Sequence, residues 1–181
     1  PWPMMGSHLY TLSEARSRAG IFSLAAMGEI IPQQRKRFLA SPYKASVGYV
    51  YIQIGTNDLL RGRSAATIIR RLQDLVNTVR AVNPTCKILI GLITPAKSYF
   101  NAHKTGAYAN WSTVNTAISG GGETPITGVD ARVTSYNTTL NDGADDILPQ
   151  YVSADLLHPN QYAKQYVIAP DVRKVLDSVG F

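Results

Sequence analysis

An α/β fold built on a parallel sheet is predicted for this chain of 181 residues. Two observations predict it. Short runs rich in β-branched and aromatic residues alternate with a long amphipathic helical pattern. One of those runs is apolar almost throughout, as a strand covered on both faces should be. Strand, helix and strand in that order give parallel neighbours joined by a crossover helix.

The elements follow in order along the chain. "GIFSLAAMG" at 20–28 reads as a short apolar strand that ends in glycine. "VGYVYIQIG" at 47–55 is a second strand, dense in Val, Ile and Tyr. "SAATIIRRLQDLVNTVRAV" at 64–82 places Ile68, Leu72, Leu75, Val76, Val79 and Val82 on one stripe, with Arg70, Arg71, Asp74 and Asn77 mostly off it. Ser64 is its expected N-cap, and Pro84 lies just past its end. "KILIGLITP" at 87–95 is the doubly covered strand. Residues 96–128 are polar, aromatic and glycine-rich, with "SGGGETP" inside them, and read as a long loop inserted above the sheet edge. The C-terminal stretch 160–181 reads as a helix broken near Pro170.

Composition narrows the function classes. With 45% apolar and 17% charged residues, the chain reads as a single globular domain, 1–181, able to bury its own core. No apolar run is long enough to span a membrane. The N-terminus lacks the charged start and apolar centre of a signal peptide, so the reading is a soluble protein, with secretion left open for a chain already trimmed. The net charge of +6 comes from scattered residues, and only Arg35, Lys36 and Arg37 cluster tightly, which argues against a nucleic-acid partner. Cys86, the single cysteine, allows no internal disulfide and is expected to be a buried thiol. Three histidines without metal-ligand spacing give no metal site. His8 and His103 are expected at the surface or in packing contacts.

Three features converge on the carboxyl ends of the strands, where open parallel sheets bind their ligands. "GTND" at 55–58 directly follows a strand, and Asn57 carries a neutral amide donor suited to a developing oxyanion. Gly28, at another strand end, permits a tight turn and leaves its N–H open to a ligand. "SADLLHPN" at 153–160 sets Asp155 three residues before His158. A histidine can take a proton from a hydroxyl near neutral pH, and a neighbouring carboxylate fixes its tautomer. The plain alternative for that stretch is a polar surface turn.

"GTND" and "DLLHPN" resemble the third and fifth sequence blocks of the SGNH (GDSL-like) hydrolase family, and Gly28 in "LAAMGEII" resembles the glycine of the second. The resemblance implies a three-layer α/β/α sandwich with a central five-stranded parallel sheet. It also implies ester hydrolysis by a serine, without metal or other cofactor. In that scheme His158 is the base, Asp155 orients it, and the oxyanion is held by the Gly28 N–H, the Asn57 side chain and the serine N–H.

The family's first block, Gly-Asp-Ser, is absent from this sequence. Three sources of a nucleophile stay open. Ser7 in "MGSH" is one, although "PWPMM" before it makes a poor strand. A segment upstream of Pro1, or a separate one, is the second and is favoured, because "WPMMGSHLY" resembles the start of the helix that follows the nucleophile. Ser178 in "VLDSVGF" is the third, set against the helical periodicity of its surroundings.

The expected activity is hydrolysis of short acyl esters, acetyl above all, with an acetylated glycan as the substrate partner; a lipase-like preference comes second. Tyr99, Phe100, Tyr108 and Trp111 could stack on sugar rings or simply pack the long loop down. Asp145 and Asp146 are expected to be solvated. "NWS" at 110–112 and "NTT" at 137–139 match glycosylation acceptors. The rival class is a catalytically silent carbohydrate-binding module that keeps the fold without its serine.

Overall fold

The computed structural model describes residues 28–180. The chain enters through helix α1 (Ile31–Ala40), whose start carries Pro32 and whose Gln33 side chain accepts from the Ile30 N–H at 3.0 Å. Strand β1 (Tyr49–Ile52) follows, then the short helix α2 (Thr56–Leu60) and the long helix α3 (Ala65–Val82). Strand β2 (Lys87–Gly91) leads into α4 (Lys97–His103) and α5 (Ala107–Ile118). Strand β3 (Ala131–Val133) and α6 (Ser135–Leu140) come next. The chain closes with one continuous helical stretch: α7 (Gln161–Ala163), a π-helical turn (Lys164–Ile168) and α8 (Ala169–Ser178).

Among the described residues the sheet has three parallel strands in the order β1-β2-β3. Tyr49 pairs with Lys87 and Ile52 with Ile90, while Leu89 pairs with Ala131 and Gly91 with Val133. Helices cover both faces. On one side α3 packs against α1 and α5; on the other α8 packs on β3, and α6 packs against the π turn. The α/β sandwich expected from the sequence is therefore present, with three strands in the described part. The strand expected at 20–27, together with Ser7 and His8, lies outside the described residues.

The core follows the sequence pattern closely. Ile68, Leu72, Val76 and Val79 of α3 are fully buried, as are Ile88, Leu89 and Ile90 of β2. Ser64 caps α3 by accepting from the Thr67 N–H at 3.3 Å. Cys86 is buried, as expected, and burial pushes its thiol up.

Three expectations change. The first is the end of "KILIGLITP". Strand β2 stops at Gly91, yet Leu92 and Ile93 stay buried. Here the side chain of Asn115 replaces a neighbouring strand: its Oδ1 accepts from the Ile93 N–H at 2.9 Å and its Nδ2 donates to the Ile93 carbonyl at 2.8 Å. A buried backbone pair is thus satisfied without a ladder.

The second is the insertion at 96–128, which is not a loop but largely helix, as α4 and α5. Ala107, Trp111, Val114 and Ile118 recur at helical spacing and are all buried. The surrounding Gly, Ser, Thr and Asn masked that stripe. Apart from the short turn at 104–106 between the two helices, the non-helical part is the glycine-rich stretch from 119 onward, where Gly120, Gly121 and Gly122 come just after α5.

The third is the break at Pro170. The chain stays helical through it. Proline has no N–H to give to a carbonyl one turn earlier. The preceding turn widens to the π form, with the Ala169 N–H bonding back to the Lys164 carbonyl.

Candidate active site

The first half of the candidate site is the turn after β1. Gly55 adopts φ +135°, and a Cβ there would lie 2.7 Å from Ile93 Cδ1, so only glycine fits. The chain then enters α2 at once, which sends three side chains toward the segment at 28–31. Asn57 Nδ2 donates to the Glu29 carbonyl at 3.1 Å. Arg61 Nη2 donates to the Gly28 carbonyl at 2.9 Å. Asp58 Oδ2 accepts from the Ile31 N–H at 3.0 Å. One five-residue helix and its cap thereby fix the turn at Gly28 that leads into α1.

Asp58 is fully buried, so its second oxygen needs a partner. Arg71 of α3 supplies it, with Nη1 2.7 Å from Oδ1. Neither Asp58 nor Arg71 was singled out from the sequence. The signal was present in "GTND", where an acid follows Asn57 on a helix whose surroundings are apolar.

Gly28 sits at φ +73° with open space where a Cβ would be. Its role is conformational, because any other residue would be strained there. The Asn57 amide has two N–H groups. The one bonded to Glu29 holds the amide plane, and among the described residues no second acceptor is bonded to it.

The second half is the hairpin at 151–160. Val152 and Pro159 form an antiparallel bridge. The Ser153 N–H donates to the His158 carbonyl at 2.8 Å, and the Asn160 N–H donates to the Tyr151 carbonyl at 2.7 Å. Leu156 takes a left-handed φ of 56° at the tip. The stretch is thus a defined turn, and it sets the hydrogen bonds of Asp155. Oδ1 accepts from the backbone N–H of Leu157 at 3.1 Å and of His158 at 3.0 Å. Oδ2 lies 2.6 Å from His158 Nδ1. Burial works against the charge on Asp155. The hydrogen bonds from the His158 backbone, the His158 ring and the Leu157 backbone outweigh it, and the carboxyl falls to about 2. With Nδ1 engaged by Asp155, Nε2 is the nitrogen through which a catalytic histidine would exchange a proton with a nucleophile.

Asn160 ends the hairpin and begins the last helix, its Oδ1 accepting from the Ala163 N–H at 2.9 Å. The position of the hairpin is set by its neighbours. The Leu148 N–H bonds to Leu140 at the end of α6, and the Tyr151 N–H bonds to Leu148. The segment before it is fastened to the entry of α4: the Lys97 N–H donates to the Asp145 carbonyl, and the Ser98 N–H and hydroxyl both bond Asp146. The first half thus follows the C-terminal end of β1, as expected for this sheet type, whereas the hairpin follows α6 and the segment 141–150.

Several side chains take roles other than those expected. Asp145 and Asp146 are bonded rather than simply solvated; Asp145 accepts from the Tyr108 hydroxyl and from Asn141 Nδ2. Phe100 is fully buried and Trp111 nearly so, with the Trp111 indole N–H donating to the Ile93 carbonyl at 3.0 Å. Tyr99 stacks on His103 at 3.8 Å. Phe100 and Trp111 hold the insertion to the core, while the Tyr99–His103 contact lies within α4. Asn110 and Asn137, the two glycosylation candidates, bond backbone groups of residues 63, 65 and 93.

Ser178 lies in the last turn of α8, with its hydroxyl donating to the Val175 carbonyl at 2.7 Å. A helix rises about 1.5 Å per residue, so this serine is some 25 Å from the helix start next to His158. It cannot pass a proton to that ring. Among the described residues no group of three His, Cys, Asp or Glu side chains could hold a metal ion, and no helix is long and apolar enough to cross a membrane.

A profile of the GDSL-like lipase/acylhydrolase family matches residues 9–165. The chain belongs to that family. It matches none of the curated proteins compared. Solved structures of similar fold include a GDSL-like lipase from Bacteroides thetaiotaomicron, 17% identical with a TM-score of 0.66 over 92% of this chain and 78% of that one. A carbohydrate esterase of family 3 from Talaromyces cellulolyticus is 21% identical, with a TM-score of 0.61 over 87% of this chain and 71% of that one. A mutant acetyl esterase with an acetate ion gives the same identity, TM-score and coverage. These likenesses establish the SGNH-type fold. Family membership makes the protein an ester hydrolase in general terms.

Proposed function

We propose that the protein hydrolyses short-chain acyl esters, acetyl esters above all, carried on carbohydrate. The observation that carries the reading is the Asp155–His158 pair. The carboxylate stays ionised, engages Nδ1, and shares its other oxygen with the His158 backbone. A surface turn has no need of this arrangement, whereas a general base does.

In the proposed reaction a serine hydroxyl attacks the ester carbonyl while His158 Nε2 takes its proton. Negative charge then develops on the carbonyl oxygen. The Asn57 amide and the Gly28 N–H face that charge, held in place by the bonds from α2 to residues 28–31. His158 returns the proton to the departing alcohol, and water repeats the cycle on the acyl-enzyme. The serine lies outside the described residues: Ser7 is one source, and a segment supplied upstream of Pro1 is the favoured one. The acetyl and carbohydrate parts of the reading lean on the acetyl esterase and carbohydrate esterase among its structural neighbours.

The test is labelling with a fluorophosphonate probe, followed by peptide mapping, alongside turnover of p-nitrophenyl acetate by the His158→Ala variant. Labelling of a serine together with loss of turnover by orders of magnitude is expected. An unlabelled, folded protein that binds acetylated glycan and releases no acetate overturns hydrolysis in favour of a binding module.

A further inference from the structure

The aromatic residues of the insertion are spent on packing, yet the molecule exposes a second aromatic set beside His158. Tyr162 is 58% and Tyr166 59% exposed, unusual for side chains of this size on a helix with a well-buried inner face. Tyr151 joins them. Its ring stacks on Tyr162 with centroids 6.2 Å apart and planes within 8°, and Tyr162 meets Tyr166 at 4.7 Å. The result is a continuous strip of three rings.

The strip is continuous with the candidate catalytic hairpin. The Tyr151 carbonyl accepts the Asn160 N–H, so Tyr151 lies across the same two-stranded turn that presents His158. The helix bearing Tyr162 and Tyr166 begins directly after that turn. Its backbone departs from the α form beneath Tyr166, in the π turn at Lys164–Ile168. Single π turns recur at functional sites, where they re-aim side chains.

The chemistry of the strip selects its occupant. Phenol rings offer an apolar face and a hydroxyl at the edge. The exposed Gln161 on the same helix and Gln150 beside Tyr151 are neutral amides that can both donate and accept. Flat apolar faces fringed by neutral hydrogen-bonding groups match a sugar ring, which presents C–H groups on its faces and hydroxyls around its rim. A lipid chain would leave those amides and phenols unpaired. An anionic polymer would call for a cluster of cations.

We propose that Tyr151, Tyr162 and Tyr166 form an outer subsite that holds the neutral sugar chain of the substrate while its acyl group reaches His158. This inference rests on the carbohydrate part of the proposed function.

The experiment compares wild type, Y162A/Y166A and Y162F/Y166F on two substrates, acetylated xylan and p-nitrophenyl acetate. The alanine pair should raise KM for acetylated xylan about 3- to 30-fold, the scale of one or two aromatic stacking contacts. Its kcat, and its activity on p-nitrophenyl acetate, should stay at the wild-type level. The phenylalanine pair keeps the rings and should retain most of the polymer affinity. An unchanged KM for the polymer overturns the subsite. So does an equal loss on both substrates, which would make the tyrosines structural. A loss greater on p-nitrophenyl palmitate than on the polymer assigns the strip to acyl chains and overturns it as well. If wild type hydrolyses neither ester, the proposed activity fails separately, and calorimetric binding of acetylated xylan to the same three proteins still decides the subsite.

Discussion

Asp155 grips His158 at two points, with Oδ2 2.6 Å from the ring Nδ1 and Oδ1 3.0 Å from the backbone nitrogen of the same residue. The ring is fixed in tautomer by one oxygen and in position by the other. Asp155→Asn should therefore cut ester turnover by about 10²–10⁴ with little change in KM, because an amide presents the wrong hydrogen to Nδ1. Steady-state kinetics on p-nitrophenyl acetate reads this. Turnover within about threefold of wild type would remove Asp155 from the orienting role.

The same carboxyl predicts a pH signature. Its folded value, about 2, lies below the unfolded value of about 3.9. A depressed acid stabilises the fold fully above its unfolded value, and that contribution is lost as pH falls through the folded one. Wild type should thus melt above Asp155→Asn at neutral pH. The gap should close between about pH 4 and pH 2, the window set by the two values. Part of Asp155 is in water, so the gap is expected to be small. Melting curves of both proteins across that range test it.

Asn57→Ala should lower kcat by about 10²–10³, the usual cost of one oxyanion donor. It also removes the bond to the Glu29 carbonyl, worth about 1 kcal/mol of stability. Kinetics and chemical denaturation on the same sample separate these effects. A drop in stability with normal kcat would leave Asn57 as a fastener only.

Asp58→Ala should destabilise the protein by about 3–5 kcal/mol, because it leaves the Arg71 guanidinium and the Ile31 N–H without their buried partner. Denaturant titration gives the value. The loss should shrink in Asp58→Ala/Arg71→Met, where no charge is left behind.

What the sequence revealed depended on how local the cause was. Helix α3 was legible to the residue, since a cap at Ser64, a stripe from Ile68 to Val79 and a stop before Pro84 all lie within one segment. The Asp155–His158 contact was legible too, because three residues of one turn make it. Asn57 was placed at a strand end correctly, but the bonds that join its turn to the one carrying Gly28 run between residues some 30 positions apart. Helix α5 was missed because its buried stripe is sparse and its polar face is rich in Asn, Ser and Thr, residues that usually signal turns. Strand β3 is three residues long and has no period to read. The substitution of a side-chain amide, Asn115, for a strand neighbour has no sequence signature at all.

The fastening of the insertion to the hairpin segment restricts how such a protein can be re-engineered or diversify. Lys97 and Ser98 bond Asp145 and Asp146, and Tyr108 bonds Asp145 from the next helix. The two segments, some 45 residues apart in sequence, form a single part. Lengthening or grafting either one alone would displace the base of the hairpin that carries His158. Swapping both together, as a matched cassette, would exchange the rim while leaving the dyad where it is.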